Sequence, residues 1–158
     1  MCMLLEADRV DPRPVLVVED SDDDFDTVLV AAARCKVVNH LVRALDAEAA
    51  WHLLSVDPVE SFAFVLLDYN LSGFDGLALL NRMRSGGLLA HLPVVVFTTS
   101  VNPRDREILC KAGASAFYLK RVQHTECLRS LESIFDRWLS CRAPSVRSTG
   151  SLFGRQQA

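Results

Sequence analysis

The chain has 158 residues, of which 50% are apolar and 23% are charged, and its formal net charge is −3. This length and composition are typical of one globular domain and argue against a disordered or fibrous chain. No apolar run approaches the roughly 20 residues of a membrane span, and the first residues lack a signal-peptide pattern, so we expect a cytoplasmic protein without a membrane partner. All 20 acidic residues lie within residues 1–137, which disfavours nucleic acid as a partner because that binding requires Lys and Arg to neutralise phosphates.

Short apolar runs alternate with longer segments of helical periodicity along the whole chain. The four stronger runs are rich in β-branched and aromatic residues, as strands buried on both faces are, and a weaker run follows the first. The predicted strands lie at 15–18, 40–45, 62–67, 94–97 and 116–119. The predicted helices lie at about 24–35, 47–55, 76–85, 104–112 and 124–142. Asp46 and Pro103 are suited to the starts of the second and fourth helices. This alternation predicts a parallel sheet with helices on both faces.

Polar side chains stand at the carboxyl ends of four predicted strands, where parallel sheets bind their ligands. These residues are Glu19, Asp20, Asp68, Thr98 and Lys120. Three carboxylates this close repel one another unless a cation lies among them, and Mg²⁺ binds to such oxygen ligands. Lys120 can pair with a carboxylate or with a phosphoryl group on it. The pattern predicts a phosphate-and-metal site, whereas the acidic residues at 22–26 are expected to form the solvated start of a helix.

Four motifs, in this order and spacing, resemble the receiver domain of two-component response regulators. They are Val-Leu-Val-Val-Glu19-Asp20, Leu-Leu-Asp68-Tyr-Asn70-Leu-Ser-Gly-Phe-Asp75-Gly76, Val-Val-Val-Phe-Thr98-Thr-Ser and Ala-Gly-Ala-Ser-Ala-Phe117-Tyr-Leu-Lys120. The resemblance implies a flavodoxin-like, doubly wound α/β fold with five parallel strands in the order 2-1-3-4-5 and five helices. It covers about residues 13–142. Residues 1–12 are then an N-terminal extension, and the polar residues 143–158 are expected to form a flexible tail without an effector domain.

The resemblance also implies a role for each matching residue. Asp68 would be the phosphoacceptor for a histidine kinase, Lys120 and Thr98 would bind the phosphoryl oxygens, and Phe117 would be the aromatic switch residue that moves with Thr98. The residues that would hold Mg²⁺ are Asp20, Asp68, the backbone carbonyl of Asn70 and, through a water, Glu19. Such a protein is not an enzyme beyond self-catalysed phosphorylation and dephosphorylation. It would signal through changed protein–protein contacts.

Two positions depart from the pattern of the family. Arg121 stands where the family usually has a proline in a cis bond, and a cis bond without proline costs about 2.5–4 kcal/mol, so this bond is expected to be trans or strained. Ser72 stands where a second proline is usual. The chain is similar to the single-domain regulators of bacterial phytochromes in three features. The residue after Lys120 is not proline, Thr98 is followed by Thr-Ser, and the last helix contains a tryptophan. A bacteriophytochrome is therefore a candidate kinase partner.

The last helix is more apolar than a single stripe facing the core requires. Either the additional side chains cover the core of the protein itself, or they form a contact surface. The second alternative predicts a homodimer through the fourth helix, the fifth strand and the fifth helix. Its candidate interface residues are Leu128, Leu131, Phe135 and Trp138.

Three other functions share parts of this pattern. An FMN carrier has the same fold, but its first loop must receive a phosphate, and the acidic loop that starts at Glu19 repels anions. An aspartate-nucleophile phosphatase needs a second acid two residues after the nucleophile, where this chain has Asn70. A receiver-like module that binds partners without accepting phosphate is the third alternative. The combination of Asp68, Thr98 and Lys120 with Asp20 argues against it.

Overall fold

Strands and helices alternate in a computed structural model that describes residues 11–56, 62–71 and 76–139. The strands are β1 (Val15–Val18), β2 (Leu41–Ala44), β3 (Val65–Leu67), β4 (Val94–Thr98) and β5 (Ala116–Leu119). The helices are α1 (Asp22–Arg34), α2 (Ala47–Val56), α3 (Gly76–Arg84), α4 (Pro103–Lys111) and α5 (His124–Leu139), with a 3-10 helix at Leu88–His91. Within these ranges, no helix has the length and apolar character needed to cross a membrane.

The five strands form one parallel sheet in the order β2-β1-β3-β4-β5. This confirms the predicted fold class, strand order and number of helices. Val18 of β1 pairs with Leu67 of β3, so the residues that follow these two strands emerge side by side. Thr98 at the end of β4 pairs with Leu119 of β5 in the same way. The carboxyl edge of the sheet therefore gathers the polar residues that the sequence places after the strands.

Each face of the sheet is covered by its own set of helices. Because side chains alternate along a strand, Leu16 and Val18 pack into one apolar cluster with α2, α3 and α4. Val15 and Val17 point the other way, into a second cluster with α1 and α5. The strands β1, β3 and β4 are buried on both faces, which explains their continuous apolar sequences.

Side-chain caps fix where the helices begin. Ser21 caps α1 by accepting a hydrogen bond from the amide of Asp24 at 3.3 Å, so this helix begins two residues earlier than predicted. Asp46 accepts a hydrogen bond from the amide of Ala49 at 2.7 Å, which confirms its predicted position before α2. Pro103 is the first residue of α4, where its fixed φ suits a helix and its missing N–H is not needed.

Other predicted boundaries differ from the structure or lie outside the described residues. The strand predicted at 62–67 pairs as β3 only from Val65 onward, although Phe62, Ala63 and Phe64 before it are also buried. Helix α5 is described as far as Leu139, so its predicted end at residue 142 is not covered. Residues 1–10 of the predicted N-terminal extension and the whole predicted tail, residues 143–158, also lie outside the described ranges.

The apolar residues of α5 correct one prediction. Leu128, Leu131 and Phe135 are at most 4% exposed and belong to the core cluster beneath α1, so they do not form a contact surface. Helix α5 covers both the sheet and α1, and this wide contact requires two adjacent apolar stripes. Trp138 is half-buried, with its ring centroid 6.4 Å from that of Phe64.

Candidate functional site

Two carboxylates lie side by side at the carboxyl edge of the sheet. Glu19 follows β1 and Asp68 follows β3, and they are only 3% and 8% exposed. Their backbone positions are fixed by continuation of the sheet, because the amide of Asp68 donates to the carbonyl of Val18 at 3.1 Å and that of Glu19 to the carbonyl of Ala44 at 3.0 Å. Their carboxylate oxygens lie within 4.8 Å of each other, and two like charges buried this close are unfavourable unless a positive charge accompanies them.

Lys120 provides that positive charge from the neighbouring end of β5. Its Nζ lies 2.5 Å from Oε2 of Glu19, 3.1 Å from Oδ2 of Asp68 and 3.0 Å from Oδ2 of Asp24. The lysine side chain is 7% exposed, and its amide donates to the carbonyl of Thr98 at 2.7 Å. The structure thus brings Glu19, Asp68 and Lys120 together, as the sequence pattern predicts.

The pKa values of Glu19 and Lys120 reflect their burial and their mutual attraction. Burial raises the pKa of the Glu19 carboxyl from its usual 4.5 to about 7, although the hydrogen bond and charge of Lys120 oppose this shift. Burial alone would lower the pKa of Lys120, but the hydrogen bond to Glu19 and the charges of Asp68 and Glu19 outweigh it and raise that pKa. Lys120 is therefore charged, and a single ammonium group faces three carboxyl groups.

Thr98 and Asn70 connect the acidic group to the end of β4. Thr98 is fully buried, and its Oγ1 accepts hydrogen bonds from Nδ2 of Asn70 and from the amide of Ser100, both at 3.2 Å. The backbone amide of Asn70 donates to Oδ1 of Asp68 at 3.0 Å. Asn70 therefore spans the space between Asp68 and Thr98, with polar donors directed at both.

The donor set at this edge fits a hard divalent cation. Carboxylate oxygens of Glu19, Asp24 and Asp68 all lie within 4.8 Å of one another, and Mg²⁺ binds to carboxylate oxygens together with water and phosphate oxygens. Asp24 was predicted to be part of a solvated helix start, but it contacts Lys120. Asp20, which the sequence favours as a ligand, is half-buried beside Glu19 and lies outside this group of three.

Arg43, like Asp24, belongs to the site although its sequence position does not predict this. It lies on β2, and its Nε donates to the carbonyl of Glu19 at 3.0 Å while a terminal nitrogen contacts Oδ1 of Asp22 at 2.7 Å. Its guanidinium group also stacks 4.9 Å from the centroid of the Phe25 ring. Arg43 thus holds the acidic loop between β1 and α1 from the outside. The available signal was a single cation within an otherwise apolar strand.

Phe117 lies on β5, where it pairs with Val96 of β4, two residues before Thr98. It is half-buried, and the guanidinium carbon of Arg106 lies 6.0 Å from its ring centroid. Phe117 borders a cavity of about 410 Å³ between α4 and β5, which Arg121 also lines. The Lys120–Arg121 peptide bond is trans, in agreement with the absence of proline at this position.

The fold and the site together define a doubly wound α/β domain with a buried acidic group at the carboxyl edge of its sheet, and comparison with protein families makes the class specific. The model of the response regulator receiver domain matches residues 15–132. The chain therefore belongs to the response regulator receiver domain family. Receiver domains are in general phosphoacceptors rather than enzymes, bind Mg²⁺ at an acidic site and interact with histidine kinases.

Similar proteins include regulators of several pathways. Chemotaxis protein CheY-3 of Vibrio cholerae serotype O1 is 27% identical over 121 residues, which cover 73% of this chain and 88% of CheY-3. The Mn²⁺-bound form of response regulator Rcp1 is 26% identical with a TM-score of 0.75, covering 81% of this chain and 95% of Rcp1. The bacteriophytochrome response regulator AtBRR is 32% identical with a TM-score of 0.63, covering 76% of this chain and 90% of AtBRR. Phytochrome response regulators are thus among the structural relatives.

Proposed function

We propose that this chain is a response regulator whose receiver domain, at about residues 13–142, accepts a phosphoryl group on Asp68. The observation that carries the proposal is the position of Lys120, whose buried Nζ lies 3.1 Å from Oδ2 of Asp68. A fixed ammonium group at this distance stabilises negative charge that develops on a phosphoryl oxygen. The hydroxyl of Thr98, at the adjacent strand end, supplies a second donor.

The proposed transfer is a displacement at phosphorus. An oxygen of the Asp68 carboxylate forms a bond to the phosphorus of a phosphohistidine, the phosphorus–nitrogen bond breaks, and the electron pair remains on the imidazole, which takes up a proton. Dephosphorylation follows when water attacks phosphorus and the carboxylate of Asp68 leaves, producing inorganic phosphate. Both steps depend mainly on positioning and charge neutralisation, to which Lys120 and the surrounding donors contribute together with the metal ion proposed below.

We propose Glu19, Asp20, Asp68 and the carbonyl of Asn70 as the Mg²⁺ site, with Asp24 as an additional candidate. When bound, Mg²⁺ supplies charge neutralisation for the phosphoryl oxygens and the surrounding carboxylates. The three convergent carboxylates and the Mn²⁺-bound form of Rcp1 support this assignment. Before an ion binds, the ammonium group of Lys120 neutralises part of the negative charge of Glu19 and Asp24.

The signal would leave the site through Thr98 and Phe117. A phosphoryl group on Asp68 adds acceptor oxygens near Thr98, whose Oγ1 accepts from Asn70 and Ser100 and keeps its own hydroxyl proton to donate. A hydrogen bond to the phosphoryl group would draw the Thr98 side chain toward Asp68. Phe117 borders the cavity between α4 and β5 and has space to change its side-chain conformation. The protein contacts made by α4, β5 and α5 would change as a result, including those of a homodimer through this face.

The kinase partner proposed for this regulator is a bacteriophytochrome. The 32% identity to AtBRR over 76% of this chain supports the assignment. Phosphotransfer from a purified bacteriophytochrome kinase to this protein tests it, with a chemotaxis kinase as the control donor. Faster transfer from the bacteriophytochrome is expected, and equal or slower transfer would exclude it as the preferred partner.

The acceptor is tested by the intact mass of the purified protein after incubation with Mg²⁺ and acetyl phosphate. The wild-type protein should gain one phosphoryl group, and the Asp68→Asn variant and a wild-type sample with EDTA should not. No gain in any sample would instead support a module that binds partners without accepting phosphate. Sedimentation of the phosphorylated protein tests the homodimer, which a monomer at high concentration would exclude.

A further inference from the structure

A second cavity, of about 670 Å³, lies at the opposite end of the sheet from the acidic site. One wall is the segment between α1 and β2, and the other is the second half of α5. Val37, Val38, Phe135 and Leu139 form its apolar part, and Val38 is 81% exposed. The volume is within the range of cavities that bind a ligand or a peptide segment.

A buried amide at the edge of this cavity lacks one partner. Asn39 is 8% exposed, and its Nδ2 donates to the carbonyls of Asp11 at 2.5 Å and Arg13 at 2.7 Å. Two carbonyl oxygens on this side fix the orientation of the amide. Its Oδ1 is buried, yet it accepts no hydrogen bond from any residue in the described ranges. A buried acceptor without a donor is unfavourable, which points to a donor outside those ranges.

The segment best placed to supply this donor is the one that precedes Asp11. The carbonyl of Asp11 is bonded to Asn39, so residues 1–10 join the described chain at the wall of the cavity. Their sequence, Met-Cys-Met-Leu-Leu-Glu-Ala-Asp-Arg-Val, is rich in Met and Leu, and Met adapts well to irregular apolar cavities. Ten residues in an extended conformation reach roughly 33 Å, far enough to follow the groove.

We propose that residues 1–10 bind in this cavity, between the α1–β2 segment and α5 of the same chain. In this arrangement a backbone N–H of the segment donates to Oδ1 of Asn39, and the side chains of Leu4 and Leu5 cover the exposed Val38. The N-terminal segment then belongs to the folded domain, at the end of the sheet farthest from Asp68.

The charges around the cavity favour this segment over residues 140–158, which also begin beside it, after Leu139. Glu132 is neutralised by Arg34, whose Nε lies 2.8 Å from Oε1. The other charged residues of the lining are Lys36, Arg129 and Asp136. Together these three carry a net charge of +1. The side chains of residues 1–10 sum to −1 (Glu6, Asp8 and Arg9), whereas those of residues 140–158 sum to +3, so the lining attracts the first segment and repels the second.

The cysteines of the chain provide a direct test. Cys35 lines the cavity and is exposed, Cys2 lies in the N-terminal segment, and Cys141 lies in the other candidate. The purified protein would be oxidised briefly with diamide, and its disulfides mapped by mass spectrometry of tryptic peptides. A Cys2–Cys35 disulfide within the monomer is expected. A predominant Cys35–Cys141 disulfide, a Cys2–Cys35 disulfide only between chains, or a yield no higher than that of Cys2 with the exposed Cys110 would each overturn the proposal.

A pair of double variants separates specific binding from simple proximity. Leu4→Asp with Leu5→Asp should lower the yield of the Cys2–Cys35 disulfide several-fold, because charged side chains cannot cover Val38. The matched control, Leu152→Asp with Phe153→Asp, places the same charges in the other terminal segment and should leave the yield unchanged. Equal yields in the two double variants would contradict the proposal. Circular dichroism of both variants verifies that the domain is folded.

Discussion

The centre of the sheet and its β5 edge are built differently, although both contribute to the same site. Every residue of β1, β3 and β4 is buried, whereas every residue of β5 is half-buried, and the neighbouring α4 buries only Leu109. The centre holds Glu19 and Asp68 in fixed positions. The edge carries Lys120 and Phe117, which contact the charge on one side and the surface cavity on the other. We therefore assign the proposed phosphoryl chemistry to the rigid centre and its proposed readout to the less covered edge.

Removing the charge that connects the two regions should have the largest effect on stability. In Lys120→Met, the carboxylates of Glu19, Asp68 and Asp24 lose their ammonium partner, and a buried pair that loses one member costs about 3–5 kcal/mol. Urea denaturation in EDTA at pH 8 measures the free energy of unfolding. The control Lys111→Met removes an exposed pair with Glu107, worth only about 0.3–0.5 kcal/mol. Equal losses of unfolding free energy in the two variants would mean that the contacts of Lys120 with Glu19 and Asp68 do not stabilise the fold.

Shortening an apolar side chain should destabilise the centre of the sheet more than its β5 edge. Leu67 in β3 is fully buried, so Leu67→Ala should lower the free energy of unfolding by about 2–5 kcal/mol. Leu119 in β5 is half-buried, and Leu119→Ala should cost about half as much because less apolar area is lost to water. Chemical denaturation of both variants provides the comparison. A larger loss for Leu119→Ala would reverse the assignment of rigid centre and looser edge.

The elements that can be predicted from sequence are those with a local cause. Continuous apolar runs reveal β1, β3 and β4 because both faces of these strands are buried. Asp46 and Pro103 mark helix starts because their caps and backbone angles depend on nearby residues. Asp68, Thr98 and Lys120 could be placed at one edge because parallel strands share a carboxyl end.

The features that could not be predicted depend on contacts between distant residues. Asp24 resembles its acidic neighbours on α1, and only the fold brings it to Lys120, 96 positions away. The role of Arg43 depends on β2 lying beside β1. Leu128 and Phe135 are candidate contact residues by sequence, because the sequence of α5 alone does not show how wide a surface the helix covers. Helical periodicity shows that residues share a stripe, but not what covers it.

The pH dependence of stability tests the burial of the central carboxyl group. Because the pKa of Glu19 is raised from 4.5 to about 7, the folded protein binds a proton in this range that the unfolded chain has released. Without metal, the free energy of unfolding should therefore fall as the pH rises from about 4.5 to about 7, by roughly 3 kcal/mol. Thermal melts in EDTA across this range measure it. Glu19→Gln should flatten the profile, and an unchanged profile would assign the effect to another group.

The smallest effect is expected at the opposite edge of the sheet, on β2. Arg43→Met removes the hydrogen bond to the carbonyl of Glu19 and the contact with Asp22, and should cost about 1–2 kcal/mol. It should also weaken Mg²⁺ binding, because the loop that carries the carboxylates loses its outer support. Titration calorimetry with Mg²⁺ and urea denaturation measure the two effects. Arg104→Met, at an exposed position of α4, is the control, and matching results for both variants would remove Arg43 from the site.

Hydrogen exchange before and after phosphorylation tests most directly whether the centre receives the phosphoryl group and the edge responds. Samples with Mg²⁺, with and without acetyl phosphate, would be compared by mass spectrometry for the wild-type protein and Asp68→Asn. Exchange should change in peptides from α4 and β5 of the phosphorylated wild type, remain constant in β1 and β3, and not change in the variant. A response confined to β1 and β3, or the same response in Asp68→Asn, would contradict this division between the two regions.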